Sequence, residues 1–134
     1  MEAGTWLPTC GQAIRLQAGP RMNLGDVADK PVPKIMLVAP PRTGGAVTVR
    51  SFIPHRAHAS VGVLGAVSVA TACLLSGSPG AEVAIVGEGA IKTMTVEHPT
   101  GELTCVMRTR SDGTIESAAL LRTARKLMDG NVFG

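Results

Sequence analysis

Fifteen consecutive residues without a charge, Val61 to Leu75 (VGVLGAVSVATACLL), constrain this chain more than any other stretch. They are nearly all Val, Leu, Ala, Gly and small hydroxyl residues, apolar on every side, which predicts a helix buried all round. Gly77 and then Ser78-Pro79-Gly80 supply the stop. Just upstream the chain is polar and basic, with Arg50, His55, Arg56 and His58 around Pro54. The expectation is one central helix from about His58 to Leu75, with Leu64 in the core. A curved sheet or barrel wraps around it, and a basic mouth opens at its N-terminus. The run is shorter than the ~20 residues a bilayer span needs, so no membrane helix is expected.

With 134 residues the chain has the length of one domain. Aromatics make up 2% of it, mean hydropathy is +0.24 and net charge is +3. That balance predicts an apolar face covered by a partner. It argues against nucleic-acid binding, which would call for clustered Lys/Arg and aromatic platforms. Cys10, Cys73 and Cys105 are odd in number and lack metal-ligand spacing, so reduced thiols are expected, two of them in the core. Met1-Glu2-Ala3-Gly4 lacks the basic start and apolar core of a signal peptide, and a cytoplasmic location is expected.

Taken in order, residues 1–11 show no periodicity and are expected to be poorly ordered; one domain then occupies residues 12–134. A short helical pattern, Gln12 to Ala18, stops at Gly19-Pro20. Met22 to Asp26 is a turn-rich loop in which Asn23 and Gly25 can take positive φ. Strands are predicted at Lys34–Val38, Ala46–Ile53, Glu82–Val86, Ile91–Val96, Glu102–Arg108 and Thr114–Arg122. Pro40-Pro41 and Gly44-Gly45 bracket the first turn, and Ser111-Asp112-Gly113 is a hairpin signal. The fold class is α+β.

The chain carries no GxSxG, P-loop, HExxH or paired carboxylates. No metal site is expected, since His98 lies far along the sequence from His55 and His58. Lys34 and Lys92 read as solvated. The mouth of the helix is the site candidate, because free N–H groups and the helix dipole attract negative charge there. His55, Arg56, His58 and Ser60 would add donors to an anionic ligand.

The series AIRLQAG, MNLGDVADKPVPK, LVAPP, GG, VRSFIPHRAHASVGVLGAVSVATACLL, VEHPTG and LLRTARKLMDGNV, from about Gln12 onward, resembles the C-terminal part of the PrpF-like isomerases. Their members include 4-oxalomesaconate tautomerases and methylaconitate cis–trans isomerases. The resemblance implies one lobe of a diaminopimelate-epimerase-like fold, two lobes of which face each other across a cleft. It implies cofactor-independent movement of a double bond by proton transfer in a small di- or tricarboxylate. The lysine and cysteine tied to that chemistry belong to the first lobe, after which this chain is expected to begin. No catalytic residue is therefore assigned here, and no cofactor is expected. The resemblance carries over a substrate-carboxylate site at Ser51, His55, Arg56, His58, Ser60, Val61 and Gly62, with Met22 and Gly25 lining the cleft. The partners implied are a small polycarboxylate and a complementary N-terminal lobe or a second copy covering the cleft face. Loss of chemistry would leave a carboxylate-binding module or a truncated gene product.

Overall fold

Along Val47–Ile53 the side chains alternate: Val47, Val49 and Ser51 are buried on one face, while Thr48 and Arg50 turn to the other. That period of two makes a strand with one inner face. The computed structural model describes residues 3–53, 56–131 and 133. In chain order its elements are α1 (Ala3–Arg21), β1 (Ile35–Ala39), β2 (Val47–Ile53), β3 (Arg56–His58) and α2 (Val63–Leu74). They continue with α3 (Pro79–Val83), β4 (Ile91–His98), β5 (Gly101–Thr109) and β6 (Ile115–Leu120).

The strands form one six-stranded sheet in the order β1-β2-β4-β5-β6, with β3 also on β2. Pairings are antiparallel except β2 with β4, which run parallel through Val47↔Val96 and Thr48↔Glu97. A parallel neighbour needs a crossover, and α2 and α3 provide it. Ala66, Val69, Ala70 and Cys73 of α2 are buried in one cluster with Val47, Val49, Met94, Val96, Leu103, Cys105 and Met107 of the sheet. Leu103, Cys105 and Met107 thus form the inner face of β5. β1 and β6 are edges, so the sheet is open, not a closed barrel.

Several expectations change. The helix begins at Val63, not His58; His58 instead pairs with Ser51 as the last residue of β3. Nor is α2 buried all round. Leu64 is 82% exposed and Val63 and Leu75 are also open, because the sheet covers one face of the helix only. The strand expected at Glu82–Val86 is replaced by α3 and an extended segment. There Ser78 caps, accepting from the Ala81 N–H at 3.1 Å, and Pro79 occupies the first turn. Gly80 lies against the α2 backbone: an added Cβ would sit 3.1 Å from the Ala72 carbonyl carbon and the Cys73 nitrogen.

Helix α1 extends beyond the predicted Gln12–Ala18 in both directions. It ends in a Schellman turn: Asn23 takes φ 63°, the Leu24 N–H bonds the Gly19 carbonyl at 3.0 Å, and the Asn23 N–H bonds that of Pro20 at 3.1 Å. Its anchor is Arg15, 1% exposed, whose guanidinium donates to the carbonyls of Val27, Ala28, Lys30 and Val32 at 2.6–3.0 Å. A second clasp is Glu97, buried, which accepts from the N–H groups of Arg42, Thr43 and Gly45 and from the Thr48 hydroxyl at 2.6–2.8 Å. It fixes the β1–β2 connection to β4. Past β6 the described residues form no regular structure, and Leu127 and Met128 are exposed. No helix among the described residues is long and apolar enough to cross a membrane.

Candidate functional site

Register brings three side chains into one row. Met36 of β1 stands opposite Ser51 of β2, and Ser51 stands opposite His58 of β3. Residues opposed across strands share a face. Ser51 shares the inner face with Val47 and Val49, so the row looks toward the start of α2. Gly65 in the first turn of α2 lets Met36 lie close: a Cβ there would come within 2.5 Å of the Met36 Cε.

The start of α2 is unusually bare. Gly62 is the N-cap and contributes no side-chain hydrogen bond; the Ala66 N–H bonds the Gly62 carbonyl at 2.9 Å. The N–H groups of Val63, Leu64 and Gly65 precede that first intrahelical bond, and among the described residues no capping side chain serves them. They border a cavity of about 280 Å³ lined by Ser51, His58, Ser60, Gly62, Lys34, Met36 and the first residues of α2. Ser51 is 6% exposed, and no described group hydrogen-bonds its hydroxyl. Among the described residues no sealed side-chain polar atom lacks a partner, so this hydroxyl must open on the cavity. His58 Nδ1 lies 3.1 Å from the Ser60 carbonyl. A carbonyl only accepts, so Nδ1 carries the proton and Nε2 is left for another partner. A hydroxyl open to the cavity, an imidazole and the positive end of a twelve-residue helix together suit a carboxylate.

Of the predicted site residues, Ser51, His58, Ser60 and Gly62 line this cavity. Val61 does not: it is 5% exposed and packs in the core. The Arg56 backbone pairs with Ile53; His55 lies outside the described residues. Met22 and Gly25 follow α1 and line neither this cavity nor the hollow described next. One residue set aside in the sequence proves close to the site: Lys34, exposed as expected, is also part of the lining. Strand pairing produces that approach, and no local spacing signals it. His98 lines the hollow described next, its Nδ1 3.3 Å from the Thr100 hydroxyl, which donates to the Ala59 carbonyl at 3.0 Å.

A larger hollow, about 820 Å³, lies where Leu37, Thr48, Arg50 and Glu97 meet. Thr48 and Arg50 belong to the outer face of β2, away from α2. Its one buried charge is Glu97, whose carboxylate already accepts four hydrogen bonds. The start of α2 is therefore the candidate site. Cys73 and Cys105 are buried, and burial raises both thiols above their ordinary pKa, so neither is suited to act as an acid or base.

The family model for PrpF protein matches residues 10–134. The chain is 68% identical over 133 residues to a (4E)-oxalomesaconate Delta-isomerase of Novosphingobium sp. (strain KA1), covering 99% of this chain and 37% of that protein. It is 54% identical over 132 residues to a 4-oxalomesaconate tautomerase of Pseudomonas putida, covering 98% and 36%. The crystal structure of a methylitaconate-delta-isomerase superposes with a TM-score of 0.76 at 21% identity, covering 94% of this chain and 37% of that one. The chain thus spans little more than a third of the length of the relatives it matches, and its α+β fold is that of one lobe of the diaminopimelate-epimerase-like architecture.

Proposed function

The chain belongs to the PrpF family, and from that membership we propose that it supplies the C-terminal lobe of a cofactor-independent isomerase or tautomerase. The reaction would shift a double bond in a small di- or tricarboxylate, of the oxalomesaconate or aconitate type, by taking a proton from one carbon and returning it to another. Relatives named as isomerases and tautomerases over this whole chain support the reaction class.

The observation that carries the site is the start of α2, uncapped among the described residues, beside a Ser51 hydroxyl that opens on the same cavity. In this reading a substrate carboxylate accepts from the N–H groups of Val63, Leu64 and Gly65 and from Ser51, with His58 beside it. The helix dipole contributes about 0.3–1 kcal/mol, and each charge-assisted hydrogen bond about 1.5–3 kcal/mol before desolvation. Holding the carboxylate fixes the adjacent carbon relative to whatever base removes its proton. That base and the returning acid would come from the complementary lobe, since the thiols in the core of this lobe are buried with raised pKa.

Two measurements test the reading. In an amide NMR titration, citrate or trans-aconitate should shift Ser51 and His58–Gly65 at millimolar concentration, where chloride at equal ionic strength does not. Absorbance assays with oxalomesaconate should show turnover only when a separately expressed first lobe is added. Turnover by this chain alone, lost on a substitution within it, would refute the division of labour. Shifts scattered over the basic surface would refute the site.

A further inference from the structure

The cavity that holds the carboxylate seat is also lined by Lys34. We infer that Lys34 is a specificity-determining residue whose ammonium takes a second carboxylate of the ligand, so that the cavity selects dicarboxylates over monocarboxylates. This rests on the reading of the α2 start as a carboxylate seat.

Three observations lead there. Lys34 precedes β1 and lies two residues before Met36, the residue opposite Ser51. Two residues of extended chain advance roughly 7 Å and return to the same face. Lys34 therefore stands on the side of Ser51, one strand across and one step along. Next, its charge is uncommitted. Lys30 and Lys92 bond the carbonyls of Leu24 and Gly87 at 3.0 and 2.8 Å, whereas Lys34 makes no hydrogen bond or ion pair among the described residues. Last, Met36, Val63 and Leu64 contribute apolar side-chain surface to the same lining. A polar seat, an apolar wall and a cation match a molecule whose two carboxylates are joined by a short carbon segment.

The test compares fumarate with crotonate, the same four-carbon skeleton with a methyl in place of one carboxylate. Each is titrated into the chain at constant ionic strength and followed at the Ser51 and Gly62–Gly65 amides. The expected result is about tenfold tighter binding of fumarate. Lys34→Gln should bring the ratio close to about one by weakening fumarate alone, and Lys34→Arg should keep the preference. An unchanged ratio in Lys34→Gln overturns the role of Lys34 and leaves the seat standing. Failure of either ligand to shift those amides in the parent chain overturns the seat and this inference together.

Discussion

Gly62 stands where the first turn of α2 calls for a side-chain acceptor, and its φ of −80° and open surroundings would admit one. Gly62→Asp should cap the helix and stabilise the chain by about 0.5 kcal/mol. The new carboxylate would also fill the seat. A thermal melt should therefore rise slightly while the citrate titration is lost, a combination that simple unfolding cannot give. Arg15 is the opposite case, a side chain whose role is wholly structural. Arg15→Met removes the donors of four carbonyls and should cost about 2–3 kcal/mol by urea unfolding, with citrate binding retained under folding conditions. Ser51, His58, Ser60 and Gly62 were legible because they adjoin a helix start that the apolar run announces. Lys34 and Arg15 were not: one reaches the site through strand register, the other through backbone acceptors twelve to seventeen residues on.

α2 shows how a uniform composition hides a two-faced helix. Its buried side is Ala66, Val69, Ala70 and Cys73; its outer side carries Leu64 and Ser68, four residues apart. The Ser68 hydroxyl bonds the Leu64 carbonyl at 2.8 Å, so this polar group is turned back on the helix. Leu64→Asp should change stability by no more than about 0.5 kcal/mol, the reverse of what the apolar run implies. Ala70→Leu, on the packed side, should cost about 1–3 kcal/mol through overpacking. Paired thermal melts decide between the two faces. The strands were more readable, since alternation survives in β2 and β5 and turn residues flank them. The segment around Glu82 carries no clear helix signal in the sequence, because Ser78-Pro79 is both the stop of one helix and the cap of the next.

At the scale of the whole molecule, Glu97 ties the sheet together. The Thr48 hydroxyl and then the Arg42 N–H hold its carboxyl far below the ordinary value of 4.5. Asp112 is lowered as well, by the Thr114 hydroxyl and N–H. A lowered folded pKa means that the unfolded chain binds protons first as pH falls. These contributions are complete above the unfolded value and are lost as pH drops below about 4.5 toward the folded one. Thermal midpoints should fall between about pH 6 and about pH 3. Glu97→Gln should melt lower at about pH 6 but show a much shallower acid slope. The clasp also has a kinetic meaning. β1–β3 and β4–β6 are each contiguous in the chain and close over short turns, whereas their seam is two residue pairs spanned by the entire α2–α3 crossover. Loop closure sets the order of such events, so the two hairpin systems would assemble first and the seam last. On native-state hydrogen exchange the molecule should then behave as two cooperative units. Deuterium uptake at Thr48 and Glu97 should run ahead of Met94, Cys105 and Met107, and Glu97→Gln should speed the seam while leaving the β4–β5 interior unchanged.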